Sequence, residues 1–399
     1  MMQKSIAVLE VSFLAASLAI LQTSVFAENL QQASSGAAPT LKVPINQQPL
    51  FTPNEPEVQS NAQRINTTKT FWTPERMRKA KPLPLPRSSN GVVTGVTIQD
   101  IGNIGKSQAS SGAAPTVKVP INQQPLFTPN KRKFQSNSIQ PDNEGTKGAS
   151  FTSSELVPLS ADLSYPYVAS GKLFFSTPEG DFLCSAAVIK PRLILTAGHC
   201  VHSGSGGNNG FYSNFVFIPA YRDGTAPFGQ WSWTRVVTTN TWITGSGSEP
   251  NAADYAIIEL SDQSFNGVST TIGSVVGYFG TKTLDLLPNH VTMLGYPGNL
   301  DSGEKMHQIT AGSYGSGGNN TAIYGSDMSE GSSGGPWVEN FGVAADGQVN
   351  GSDTSLNEIV GVTSYGPAAV GPLDQGSSIL DSRFTSILNT ACAWNPGDC

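Results

Sequence analysis

Short apolar runs, separated by turns rich in Gly, Ser, Asn and Pro, dominate the second half of the chain. Leu173-Phe174-Phe175, Phe215-Val216-Phe217-Ile218, Ala256-Ile257-Ile258, Val291-Thr292-Met293-Leu294 and Ile359-Val360-Gly361-Val362 are each of strand length, and none continues at helical spacing. The pattern predicts an all-β domain rather than strands alternating with long helices. Two more strands are expected at 183–189 and 192–195, joined by a Lys190-Pro191 turn. One helix is expected over about 378–393, where Ile379, Leu380, Phe384, Ile387 and Leu388 recur at helical spacing.

The first half follows different rules. Residues 32–54 read QASSGAAPTLKVPINQQPLFTPN, and 108–130 repeat them with one change, Leu41 to Val117. Prolines punctuate both copies, so an extended segment is expected, without long helices or central strands. Two readings stay open: a duplicated disordered linker, or a docking segment with Val43-Pro44-Ile45 and Pro49-Leu50-Phe51 as apolar contacts. Ahead of it, Lys4, the apolar stretch 6–21 interrupted by Glu10, and Val25-Phe26-Ala27 read as a secretory signal peptide over 1–27. That stretch is too short and too interrupted for a membrane span. The expected organisation is therefore a signal at 1–27, a Pro-rich basic segment at 28–150 with its boundary between 134 and 165, and a globular region at 151–399.

Charge divides the chain at the same place. Residues 28–150 carry 14 Lys+Arg against 7 Asp+Glu, whereas 151–399 carry 8 against 21. Opposite signs on two parts of one chain favour salt-sensitive docking between them. The basic residues are scattered and lack an aromatic-basic module, and the chain is expected to be secreted, so a nucleic-acid partner is not expected.

The candidate chemistry centres on Gly331-Ser332-Ser333-Gly334-Gly335-Pro336. A serine hydroxyl needs a base to take its proton and fixed donors for the developing oxyanion, and flanking glycines permit a tight turn whose N–H groups converge. Of the four histidines, His199 falls just past a buried strand, whereas His202, His290 and His307 are expected on the surface. Asp254 opens an apolar strand, an unusual place for a carboxylate unless a partner satisfies it.

With Thr196-Ala197-Gly198-His199-Cys200, Asp254-Tyr255-Ala256-Ile257, the nucleophile loop and Gly361-Val362-Thr363-Ser364-Tyr365-Gly366 in this order, the sequence resembles the trypsin-like serine proteases of the chymotrypsin fold from about Tyr165 onward. The resemblance implies two six-stranded antiparallel barrels with the active site between them. It makes His199 the general base and then acid, Asp254 its orienting partner, Ser333 the nucleophile, and the N–H groups of Gly331 and Ser333 the oxyanion hole. It also marks Cys184–Cys200 as a disulfide beside the histidine. The four cysteines allow three pairings, of which Cys184–Cys200 with Cys392–Cys399 is local and suits an oxidising compartment.

Departures from the pattern matter. Trypsin has Asp before the nucleophile, where it binds the new N-terminus; here Ser332 carries no charge. No Ile-Val-Gly-Gly-like start precedes Tyr165. Activation is therefore expected to differ from trypsin's, and the chain looks closer to the secreted branch that includes the glutamyl endopeptidases. Asp327, six residues before Ser333, matches the base of trypsin's Arg/Lys pocket. Thr363, Ser364, Tyr365 and Gly366 would line that pocket, with Gly366 and Gly376 keeping it open. Thr363 replaces the histidine that binds Glu in the glutamyl branch. Arg or Lys at P1 is thus the expected preference, with Glu/Asp specificity and a non-catalytic binding module on the same scaffold as alternatives.

Protein or peptide substrates, the chain's own N-terminal segment and a processing protease acting near Lys131-Arg132-Lys133 or Lys147 are the expected partners of a monomer. Neither metal nor cofactor is expected, there being no Cys/His cluster at zinc spacing. Sequons stand at Asn66, Asn319 and Asn350.

Overall fold

A computed structural model describes residues 57–60, 68, 70–88, 106–128, 150–265, 267–344, 353–366 and 373–399. The signal segment, the first repeat copy, the basic sites at Lys131-Arg132-Lys133 and Lys147, and the sequons at Asn66 and Asn350 lie outside the described residues.

Each apolar run of the second half becomes a strand. The first six are β1 (Ser170–Thr177), β2 (Gly180–Val188), β3 (Leu193–Thr196), β4 (Ser213–Pro219), β5 (Trp231–Thr238) and β6 (Ala256–Leu260). They pair in the order β5-β6-β3-β2-β1-β4, and β4 returns to β5, so the sheet closes into a barrel. Closure removes exposed edges and lets side chains fill the interior. Phe174, Phe217, Trp231, Val236 and Ile257 do this and are fully buried; each contributes about 1.5–3 kcal/mol relative to exposure.

The second barrel uses β7 (His290–Gly295), β8 (His307–Gly318), β9 (Thr321–Gly325), β10 (Pro336–Glu339), β11 (Glu358–Val362) and β12 (Asp374–Ser378). Their order is β12-β9-β8-β7-β10-β11, and the ring closes through a Tyr365–Gly376 bridge just past β11 rather than through a full ladder. Met293, Tyr324, Trp337 and Val360 form its core. The all-β expectation therefore holds.

Several local expectations are corrected. The C-terminal helix spans Ser382–Cys392, starting four residues late because Ser378 is spent in β12; Asp381 caps it by accepting the Arg383 N–H at 2.9 Å. β8 runs on to Gly318 and turns into β9 through Asn319 and Asn320 at positive φ. Asn319 itself is exposed. His202 is buried: Nδ1 accepts the Gly204 N–H at 2.9 Å and Nε2 donates to the Gly207 carbonyl at 2.8 Å. His307 is buried beside Asp301 at 2.9 Å. Both disulfides, Cys184–Cys200 and Cys392–Cys399, are formed.

The N-terminal segment is not wholly extended, because Pro74–Lys79 is helical. Thr73 accepts the Arg76 N–H, proline occupies the first turn, and Met77 enters the core. The second repeat copy docks. Ala109–Ser110 pairs with Gly280–Lys282, both Thr116 and Val117 donate to the Ser274 carbonyl at 2.9 Å, and Leu126 donates to Gly224 at 2.7 Å. Val119, Leu126 and Phe127 pack against the core, at the positions of Val43, Leu50 and Phe51 in the first copy.

One acid gives the fold a pH dependence. Burial first, and then Glu339, push the Glu358 carboxyl on β11 up to about 7. The native state thus binds a proton there that the unfolded chain has released, so this group's stabilisation is full at acid pH and fades as pH rises from the ordinary carboxylate range through about 7. Glu358→Gln is expected to match wild type in denaturant melts near pH 4 and to exceed it at pH 8; equal gaps at both pH values would refute the assignment.

Candidate active site

His199 sits in a 3₁₀ turn, Gly198–Cys200, directly after β3 and stapled to β2 by the Cys184–Cys200 bridge. Its Nδ1 lies 2.7 Å from Asp254 Oδ2, and its backbone N–H donates to Asp254 Oδ1 at 2.7 Å. The carboxylate grips the ring and the main chain together, which fixes the imidazole's orientation and makes Nδ1 the protonated nitrogen. Gly198 is required here: a Cβ would lie 2.9 Å from both Asp254 Oδ1 and the Trp242 ring. Asp254 itself is fully buried just ahead of β6, with its N–H donating to Ser378 Oγ at 3.0 Å.

The acid has two further neighbours. Ser364 donates to Asp254 Oδ2 at 2.5 Å and lies 3.2 Å from Glu249 Oε1. Burial, then the adjacent Asp254, hold the Glu249 carboxyl well above the usual range. A neutral Glu249 avoids placing a second buried anion beside Asp254.

Ser333 is fully buried on the turn between β9 and β10. Gly334, at φ +75°, packs so closely on the histidine segment that a Cβ would lie 2.0 Å from Thr196 Oγ1 and 2.8 Å from the Ala197 nitrogen. The Ser333 carbonyl accepts the Ser185 N–H at 2.7 Å, next to Cys184. These contacts seat the Gly331–Pro336 loop against the strand end that carries His199. Among the described residues neither Ser333 Oγ nor His199 Nε2 has a hydrogen-bond partner, and both are buried, which is unusual for buried polar atoms.

Around them the loop is held by neutral hydrogen bonds. Ser332 Oγ donates to the Ser329 carbonyl at 2.7 Å and accepts from Gln375 Nε2 at 2.9 Å; Gln375 also donates to the Met328 carbonyl and accepts from Ser326. Ser185 Oγ donates to the carbonyl of Gly331, which stands at φ +90°, at 2.9 Å. Sequence reasoning missed Ser185, Glu249 and Gln375, and nothing in their local pattern marks them.

The expected pocket residues are spread unevenly. Asp327 Oδ1 accepts from Ser153 Oγ at 2.8 Å, and burial raises its pKa. Thr363 Oγ1 accepts the Trp337 indole N–H at 2.9 Å. Tyr365 is buried with its hydroxyl on Thr321, and its ring fills the space of the missing Gly376 side chain. Gly376 therefore accommodates Tyr365 rather than opening a pocket. Gly366 leaves room for Leu85. Cys184, His199 and Cys200 cluster closely enough for a metal, but both sulfurs are spent in the disulfide.

Residues 184–344 match the trypsin-like peptidase domain. The chain is 27% identical over 245 residues to the glutamyl endopeptidase of Bacillus licheniformis, covering 53% of this chain and 71% of that one. It is 28% identical over 131 residues to a Bacillus subtilis protein called extracellular metalloprotease, covering 32% and 37% of the two chains. Among solved structures, the protease Anisep of Arthrobacter nicotinovorans aligns with a TM-score of 0.45 at 26% identity, covering 57% of this chain and 96% of that one.

Proposed function

We propose that this serine endopeptidase, which carries a trypsin-like peptidase domain, is secreted as a zymogen and cleaves peptide bonds through Ser333, His199 and Asp254. The observation that carries the reading is the 2.7 Å His199–Asp254 pair with Nε2 and Ser333 Oγ both buried and unpartnered. His199 takes the Ser333 proton as Oγ attacks the scissile carbonyl, and Asp254 stabilises the imidazolium. The N–H groups of Gly331 and Ser333 receive the oxyanion. His199 then protonates the leaving amine, and water activated by the same imidazole hydrolyses the acyl-enzyme. Ser332, bound by Gln375 and the Ser329 carbonyl, holds the loop without a buried N-terminal ion pair.

The mature chain begins upstream of residue 151. Phe151–Glu155 pairs with β8 over its whole length and Phe151 is buried, so a cut inside it would strip an edge of the second barrel. Ser153 then stays on Asp327 in the mature enzyme.

For P1 we propose Arg or Lys, whose charge would favour ionised Asp327. The similarity to a glutamyl endopeptidase keeps Glu as the second reading. A cleavage map of a peptide library by processed protein decides between them. Cleavage after Arg and Lys that weakens about 10-fold or more in Asp327→Asn is expected, the scale of a lost charge-assisted contact. Cleavage after Glu, or a preference unmoved by Asp327→Asn, rejects the basic pocket, and no cleavage at all favours the binding module.

A further inference from the structure

The segment 71–88 is anchored at both ends of the proposed catalytic cleft. Its first anchor is apolar: Trp72 and Met77 are buried, and Trp72 Nε1 donates to the Asn214 carbonyl at 2.5 Å. Arg76 adds an ion pair with Asp181 at 2.7 Å. The chain then runs as Lys81-Pro82-Leu83-Pro84-Leu85-Pro86-Arg87. Lys81–Pro82 lies parallel to Phe182 and Leu183, and the Leu83 N–H donates to the Leu183 carbonyl at 3.0 Å. Leu183 adjoins Cys184, whose bridge reaches Cys200 beside His199.

The far end is fastened past Ser364. The Gly366 N–H donates to the Pro86 carbonyl at 2.8 Å, and the Ser88 N–H donates back to the Gly366 carbonyl at 3.1 Å, giving a parallel bridge at Arg87. Between these anchors, Pro82 packs on Gly331, where a Cβ would stand 3.2 Å from Pro82 Cβ, and Leu85 packs on Gly366 at 2.9 Å by the same measure. Backbone hydrogen bonds therefore hold the segment on the His199 side and on the Asp254 side, with apolar contact to the oxyanion glycine. Ser333 Oγ and His199 Nε2 remain unpartnered.

We propose that residues 71–88 are the cleft's own inhibitory partner, a Leu/Pro strap that covers Ser333 and is a poor substrate for it; this rests on the nucleophile assignment above. The prolines suit the role. Each fixes φ in advance, so little chain entropy is lost on docking. Of the three peptide bonds between Leu83 and Pro86, two have a proline nitrogen carrying Cδ where His199 would have to deliver a proton.

The test uses the full-length chain, verified intact by mass, and a fluorophosphonate. In that reaction Ser333 Oγ forms the P–O bond, fluoride leaves, and His199 takes the hydroxyl proton; Ser333→Ala sets the background. Intact wild type is expected to label about tenfold or more slowly than intact Leu83→Asp/Leu85→Asp, the factor for a cleft open a tenth of the time. Wild type freed of residues before about 150 should label as fast as that variant, which guards against a variant that misfolds. Equal rates for intact and freed wild type would overturn the strap and leave the nucleophile standing. Absence of labelling in every form would overturn the nucleophile assignment and the strap with it.

Discussion

Ser333→Ala in the processed enzyme is expected to lower kcat by about 10⁴- to 10⁶-fold, the range for loss of a triad serine, while leaving KM within a few-fold. The hydroxyl makes no hydrogen bond among the described residues, so its effect is expected to fall on the chemical step rather than on binding. The same isolation sets a second expectation. A buried hydroxyl without a partner costs about 1–3 kcal/mol, so the alanine variant should melt no lower than wild type, and higher if the neighbouring atoms close in. A large activity loss with an unchanged or raised Tm separates catalysis from folding. A variant that is inactive because it has unfolded would show the reverse.

Asp254→Asn should cost about 10⁴-fold in kcat, and here stability should fall as well. The carboxylate accepts from the His199 N–H, from Nδ1 and from Ser364. An amide offers one acceptor oxygen, and its NH₂ must face a donor. Either the ring turns to the other tautomer, putting a proton on the Nε2 that must accept one from Ser333, or the main-chain N–H is left unsatisfied in a fully buried place. Loss of the anion also removes the charge that, after burial, raises Glu249. Activity and denaturation profiles together check this: lowered kcat with a wild-type melt would mean that Asp254 serves the chemistry alone.

The proposed triad was legible because His199 and Asp254 each flank an apolar strand and Ser333 sits among turn glycines. His199 follows β3, Asp254 precedes β6, and Ser333 precedes β10, so strand pattern and chemistry pointed to the same places. The surrounding supports were not legible. Gln375, Glu249 and Ser185 act across 43, 115 and 111–146 residues of sequence, through polar contacts that no periodicity encodes. Asp254 and Ser364 show the difference: the acid stood out against its apolar neighbours, and the hydroxyl that holds it did not. The burial of His202 was hidden for a different reason: backbone groups within five residues satisfy both ring nitrogens, and backbone leaves no mark in the side-chain pattern. The strap at 81–88 reads as linker because alternating Leu and Pro have no structure of their own. Its backbone partners, Phe182, Leu183, Glu249 and Gly366, all lie on the receiving surface.

The central claim is that Ser333 carries the acyl group. Processed enzyme is turned over with a nitrophenyl ester, quenched in acid before deacylation, and digested for mass analysis. A stoichiometric acyl adduct on the Ser333 peptide, absent from Ser333→Ala, is the predicted result. Continued hydrolysis with no adduct at Ser333, or with the adduct on another residue, would contradict the account.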